Sequence, residues 1–160
     1  MQRGTNSNAW TSGELGEFID AILENLELTL QVKGIEHIPP KGRITIAANH
    51  PIGGPEGVGL MKVVSRVRQD FTFLVNDILL SIPNLRSFFT PVNKHGSNEE
   101  NVRLFKQAFE SDNAVLIFPA GLVSRKQDGK IEDLIWKSSF ISRAIKYKRE
   151  IVPCHIDGRI

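Results

Sequence analysis

The 160-residue sequence contains a single cysteine, Cys154. One thiol excludes an internal disulfide framework and a cysteine-rich zinc site; in an apolar, strand-like run it reads as an inert buried thiol. Charges nearly cancel, with 20 basic residues against 18 acidic and a net charge of +2. That balance gives no electrostatic footprint for a nucleic-acid partner. No stretch approaches the roughly 18–20 consecutive apolar residues of a membrane span, and no signal-peptide pattern opens the chain. The expectation is a protein of the cytoplasm, or one peripheral on the cytoplasmic face of a membrane. The four histidines, His37, His50, His95 and His155, are too scattered for a ligand pattern, so no metal site is expected.

Apolar residues make up 41% of the chain, enough for one packed core. Residues 1–12 are rich in Asn, Ser, Thr and Gly and read as a flexible terminus. In 13–160, strand-like and helix-like patterns alternate. Leu15, Phe18, Ile19, Ile22, Leu23 and Leu26 form one helical stripe. Short strands are expected at Leu28–Val32 and Ile35–Ile38, buried strands at Arg43–Ala48 and Asn113–Phe118, and further strands at Phe71–Val75 and Ile151–Ile156. Helices are expected over Val58–Arg68, from the capping box Ser97-Asn98-Glu99-Glu100 to Glu110, and over Leu134–Tyr147. This alternation predicts an α/β domain whose central sheet is mixed but largely parallel, with flanking helices.

Two strand ends carry candidate chemistry, since open α/β sheets place ligands there. After Ala48 comes Asn49-His50-Pro51-Ile52-Gly53-Gly54-Pro55-Glu56. Gly53 and Gly54 allow the loop to fold back tightly. Glu56 can then hold one nitrogen of His50 and leave the other as a base near pH 7. The competing reading is a turn capped by His50, with Glu56 as the first-turn anion of the next helix. The second strand end is Phe118-Pro119-Ala120-Gly121-Leu122-Val123-Ser124-Arg125. Backbone amides near Gly121, the Ser124 hydroxyl and the Arg125 guanidinium can hold an anion, or form an ordinary turn with a solvated arginine.

Taken in order, Asn49-His50 with its following acid, Pro91-Val92-Asn93-Lys94, Phe118-Pro119-Ala120-Gly121 and Ile151-Val152-Pro153-Cys154-His155-Ile156 resemble the four blocks of the lysophospholipid acyltransferases. That group includes the glycerol-3-phosphate and lysophosphatidate acyltransferases, and the resemblance covers roughly Lys33 to Gly158. It implies acyl transfer from acyl-CoA or acyl-carrier protein to a lysolipid hydroxyl, at a membrane surface, with no cofactor. His50 would be the general base and Glu56 its carboxylate. Asn49, Gly53, Gly54, Lys94, Gly121, Ser124 and Arg125 would bind substrate, with oxyanion donors around Gly53 and Gly54. The family's first block has its acid one place earlier, its second ends in arginine rather than Lys94, and its third has glutamate where Ala120 stands and arginine where Val123 stands. These departures point away from a plain glycerol-phosphate acceptor, toward a head group such as that of a lyso-aminoacyl lipid.

An acyl groove is expected from Ile78, Leu79, Leu80, Ile82, Leu85, Phe88 and Phe89, unless these are core. A basic side that meets anionic lipid, or is simply solvated, is expected from Lys137, Arg143, Lys146, Lys148 and Arg149. Because the family usually continues beyond the fourth block, residues 13–160 are expected to be an acyltransferase domain truncated at its C-terminal end. Two other functions fit the same blocks: a membrane-associated lipid-binding module without catalysis, and a thioesterase.

Overall fold

The structure is a computed structural model that describes residues 12–75, 83–92 and 99–158. Helix α1 (Ser12–Asn25) precedes strand β1 (Ile44–Ala48) and helix α2 (Pro55–Ser65). Strands β2 (Phe71–Val75) and β3 (Phe89–Pro91) follow, then helix α3 (Glu99–Glu110) and strand β4 (Ala114–Ile117). A hairpin of β5 (Arg125–Gln127) and β6 (Lys130–Glu132) leads to helix α4 (Ser139–Lys146) and strand β7 (Glu150–Cys154). The main sheet has the order β3-β2-β4-β1-β7. All its pairs are parallel, so the expected α/β class holds, and among the described residues the sheet is wholly parallel rather than mixed.

Parallel sheets are covered on both faces, and β1 is accordingly buried at every position. On one face Ile44, Ile46 and Ala48 pack with Leu15, Ile19 and Leu23 of α1 and Leu60, Met61 and Val64 of α2. Lys62 ties α2 to α1 through Asp20 at 2.6 Å. On the other face Leu74 and Val115 meet Ala108 and Phe109 of α3. Arg149 is buried there at 6% exposure. Its guanidinium donates to the carbonyls of Ile44 (2.8 Å), Phe109 (2.9 Å), Ser111 (2.8 Å) and Asn113, and to the Thr45 hydroxyl (3.2 Å). Burial, with the charges of Arg43 and Arg68, lowers its pKa to about 10, against a smaller opposing pull from Asp112. It remains a cation at neutral pH.

Several expectations are corrected. Leu28–Val32 and Ile35–Ile38 are not strands: 28–34 has no regular structure, and Ile35–His37 is one 3-10 turn entered through Gly34 at φ 79°. Leu28, Leu30 and Ile38 instead pack sideways onto the core. Helix α2 starts earlier than expected, with Pro55 pre-set for its first turn. Helix α4 is shorter than the Leu134–Tyr147 pattern because Asp133, Trp136 and the Lys137 amide are bonded elsewhere. Of the expected acyl groove, Leu85 is in the core and Phe88 and Phe89 pack against it, while Ile78, Leu79, Leu80 and Ile82 lie outside the described residues. Arg149 is buried and Arg143 lies over the Phe105 ring at 4.4 Å, which leaves Lys137, Lys146 and Lys148 as the exposed part of the expected basic side. Among the described residues no helix is long and apolar enough to cross a membrane.

Candidate active site

The C-terminal ends of β1, β4 and β7 converge on the loop between β1 and α2. Asn49, the first residue beyond β1, pairs with the backbone of Ile156 in both directions. Its Nδ2 donates to the Ile156 carbonyl at 2.8 Å, and its Oδ1 accepts the Ile156 N–H at 2.6 Å. The loop then reverses at Gly53, whose φ of 132° suits glycine, and Gly54 caps α2. This turn points the first-turn Glu56 back at His50.

One oxygen of Glu56 gathers three donors. Oε1 lies 2.7 Å from His50 Nδ1 and accepts the N–H groups of Ile52 (2.9 Å) and Gly53 (2.7 Å). The Glu56 side chain is fully buried, and Oε2 has no partner among the described residues. Burial pushes the carboxyl pKa up, but the bonds from His50, Gly53 and Ile52 together outweigh it and set the value at about 2 instead of 4.5. The group is therefore ionised at neutral pH and can only accept, so Nδ1 must carry the proton. In the neutral ring Nε2 then holds the free lone pair, and no described residue bonds to it.

The ring is fixed by a second contact that the sequence reading did not anticipate. Phe118 stacks on it with centroids 4.1 Å apart and planes 11° apart. Phe73 supports Phe118 edge-on at 5.2 Å. The His50 backbone is held as well: its carbonyl accepts from the Ser124 amide (2.8 Å) and hydroxyl (3.1 Å), and its N–H donates to Asp133 Oδ1 at 3.0 Å. Asp133 also accepts from Trp136 Nε1 at 2.7 Å and, at 2.5 Å, takes the larger share of the single Ser124 hydroxyl proton that the His50 carbonyl also approaches.

His50 and Glu56 thus meet as expected. Other candidate residues have different contacts. Asn49 ties the loop to the Ile156 backbone. The Gly53 N–H is taken up by Glu56 and is not available as an oxyanion donor; Gly54 remains exposed at the helix cap. Gly121, at φ 71°, closes a turn by donating to the Phe118 carbonyl. Ser124 holds His50 and Asp133. Arg125 follows Ser124 into β5 with an exposed side chain, and Lys94 lies outside the described residues. Burial raises the Cys154 pKa, which disfavours its thiolate. Asp133, Phe118 and Trp136 are the residues missed. The signal for Asp133 was Asp128-Gly129, whose φ angles of 46° and 84° make the two-residue turn that brings 124 and 133 together.

Behind Glu56 lies a cavity of about 400 Å³ with a mixed lining, in which Gln31, Lys33, His155 and Asp157 stand beside apolar side chains. Leu30, Val32, Ile52, Leu60, Val63 and Ile156 line it, and Glu56 forms part of its wall. Among the described residues no group of three or more histidines, cysteines and carboxylates could hold a metal.

Comparison with known proteins bears on the family and the fold. A family model described as Acyltransferase matches residues 8–160. A lyso-glycine lipid O-acyltransferase of Bacteroides thetaiotaomicron is 41% identical over 145 residues, covering 89% of this chain and 53% of its own length. The protein of the same name from Phocaeicola vulgatus is 38% identical over 145 residues, covering 89% and 52%. The chain spans about half the length of these curated relatives. Among solved structures, the 1-acyl-sn-glycerophosphate acyltransferase PlsC from Thermotoga maritima superposes with a TM-score of 0.58 at 20% identity, covering 89% of this chain and 55% of that one. At that identity the likeness supports the fold.

Proposed function

The chain belongs to the lysophospholipid acyltransferase family, and from that premise we propose that it transfers a fatty acyl chain from a thioester donor to the hydroxyl of a lysolipid. The observation that carries the reading is the His50–Glu56 couple: a buried, ionised carboxylate fixes the proton on Nδ1 and leaves Nε2 as the base. Nε2 takes the proton of the acceptor hydroxyl. The oxygen attacks the thioester carbonyl, and the tetrahedral intermediate collapses with the thiolate leaving. The imidazolium, steadied by Glu56, gives its proton to the departing thiolate, which leaves as the free thiol. No acyl-enzyme is formed.

The donor is acyl-CoA or acyl-carrier protein, and the cavity behind Glu56 takes an acyl chain. The names of the two relatives and the Ala120 and Val123 departures favour a lyso-glycine lipid as acceptor. The site works at a membrane surface on the cytoplasmic side. Exposed Leu122, Val123, Ile131 and Ile135, interleaved with the exposed cations Arg125, Lys126, Lys130 and Lys137, face the lipid.

Thiol release from acyl-CoA and from acyl-carrier protein tests the reading, run with and without lyso-glycine lipid and with mass spectrometry of the product. Thiol release that needs the lysolipid, gives a diacylated product and disappears in His50→Ala is expected. Release indifferent to lysolipid would make the protein a thioesterase.

A further inference from the structure

The imidazole is held by Glu56 and Phe118, but its backbone is held by something else. The His50 peptide N–H and C=O are both bonded to residues flanking the β5–β6 hairpin: Asp133 on one side, Ser124 on the other. Asp133 is the joint of this clamp. Its Oδ1 takes the His50 N–H at 3.0 Å and the Ser124 hydroxyl at 2.5 Å. Its Oδ2 takes the Trp136 indole N–H at 2.7 Å, which stops the carboxylate from rotating. Ser124 in turn reaches the His50 carbonyl through both its amide and its hydroxyl. An otherwise exposed hairpin is thereby fastened to the one residue whose position decides the proton transfer.

We propose that Asp133 is a positioning residue of the transfer reaction: with Ser124 it clamps both ends of the His50 peptide and so fixes where Nε2 meets the acceptor hydroxyl. This inference rests on the acyl-transfer reading above. Asp133 does not touch the reacting atoms, and nothing places it on the acceptor. Its loss should therefore slow the chemical step without weakening substrate binding. The charge matters as well as the shape. Burial favours the neutral acid, but the Ser124, His50-amide and Trp136 bonds and the nearby imidazole together hold the carboxyl below its usual range. Asparagine in its place keeps the volume, but offers only one oxygen to three donors.

The test is Asp133→Asn with two readouts. Steady-state kinetics with lyso-glycine lipid should show kcat reduced on the order of 10- to 100-fold, the scale of a displaced catalytic group, with the acceptor KM within about twofold of the wild type. Proton NMR of the same variant should show the His50 Nδ1–H resonance, assigned by its absence in His50→Ala, shifted or broadened. A wild-type kcat, a change in KM alone, or an unperturbed resonance would overturn the proposal. The resonance is read without substrate, so it judges the clamp even if the wild type proves inactive on every lysolipid, a result that would sink the acyl-transfer reading instead. If Asp133→Asn loses its cooperative thermal transition, Ser124→Ala enters the same two measurements. A kcat loss of about fivefold or more at unchanged KM supports the clamp, and a wild-type kcat refutes it.

Discussion

Replacing Glu56 by glutamine is the most informative single change in this protein. The carboxylate oxygen Oε1 serves three donors, and Oε2 is buried without a partner among the described residues. A glutamine can put its carbonyl at the Oε1 position, but its NH₂ then occupies the place of Oε2, where a buried unpaired donor costs about 1–3 kcal/mol. In the opposite orientation the NH₂ faces three donors, which is worse. Charge adds a second loss. The move of the Glu56 pKa from 4.5 to about 2 corresponds to about 3 kcal/mol of folding stability at neutral pH. Because the folded value is the lower one, this stability is present above pH 4.5 and disappears as pH falls toward 2. Urea unfolding should therefore show Glu56→Gln less stable by about 4–6 kcal/mol at pH 7, with the gap narrowing on acidification below pH 4.5 toward the amide's share of about 1–3 kcal/mol. In the thiol-release assay kcat should fall about 10²- to 10⁴-fold, the range for a mispositioned or unsupported base. A variant with wild-type kcat, or a stability gap that stays constant from pH 7 to pH 3, would refute the role assigned to this carboxylate.

Three further outcomes follow from the contacts. Asn49→Ala removes both bonds to the Ile156 backbone and should cost about 1–3 kcal/mol in urea unfolding, with a partial loss of kcat because the next residue is His50. Arg149→Met leaves the carbonyls of Ile44, Phe109, Ser111 and Asn113 without their shared donor; a destabilisation on the order of 3–5 kcal/mol should appear in thermal melts, and a near-wild-type Tm would contradict it. Arg125→Ala, at an exposed position beside Ser124, should raise the acceptor KM more than it lowers kcat, as expected for uniform head-group binding; an unchanged KM would remove Arg125 from the acceptor site.

What could be read in advance was local. Phe71–Val75 has the bounds expected of it, because five consecutive β-prone residues specify a buried strand without help from elsewhere. The His50–Glu56 contact spans six residues across a glycine turn, so the short-range pattern contains it. The Asp133 bond to the His50 amide spans 83 residues, and no periodicity encodes it. Residues 134–138 show why helical spacing misled. Trp136 and Phe140 do lie near each other, ring centroids 6.2 Å apart, but the Trp136 indole and the Lys137 amide bond to Asp133 and Pro119, and tertiary bonds override the local preference. Arg149 looked like a solvated cation for the same reason: its carbonyl partners come from β1, from the end of α3 and from the turn between α3 and β4, and assemble only in the fold.

The tie between Asn49 and Ile156 also fixes when the protein can become itself. The two residues are 107 positions apart, and β7, which flanks β1 from Ile44↔Glu150 to Ala48↔Cys154, emerges last of the described strands. At a synthesis rate of about 5–20 residues per second, Asn49 waits roughly 5–20 s on the ribosome for its partner. Throughout that interval one long edge of β1, an apolar run buried at every position in the finished fold, has no neighbour. Nascent chains stalled before Ile156 should therefore present a sticky strand edge and an Asn49 side chain without its backbone partner.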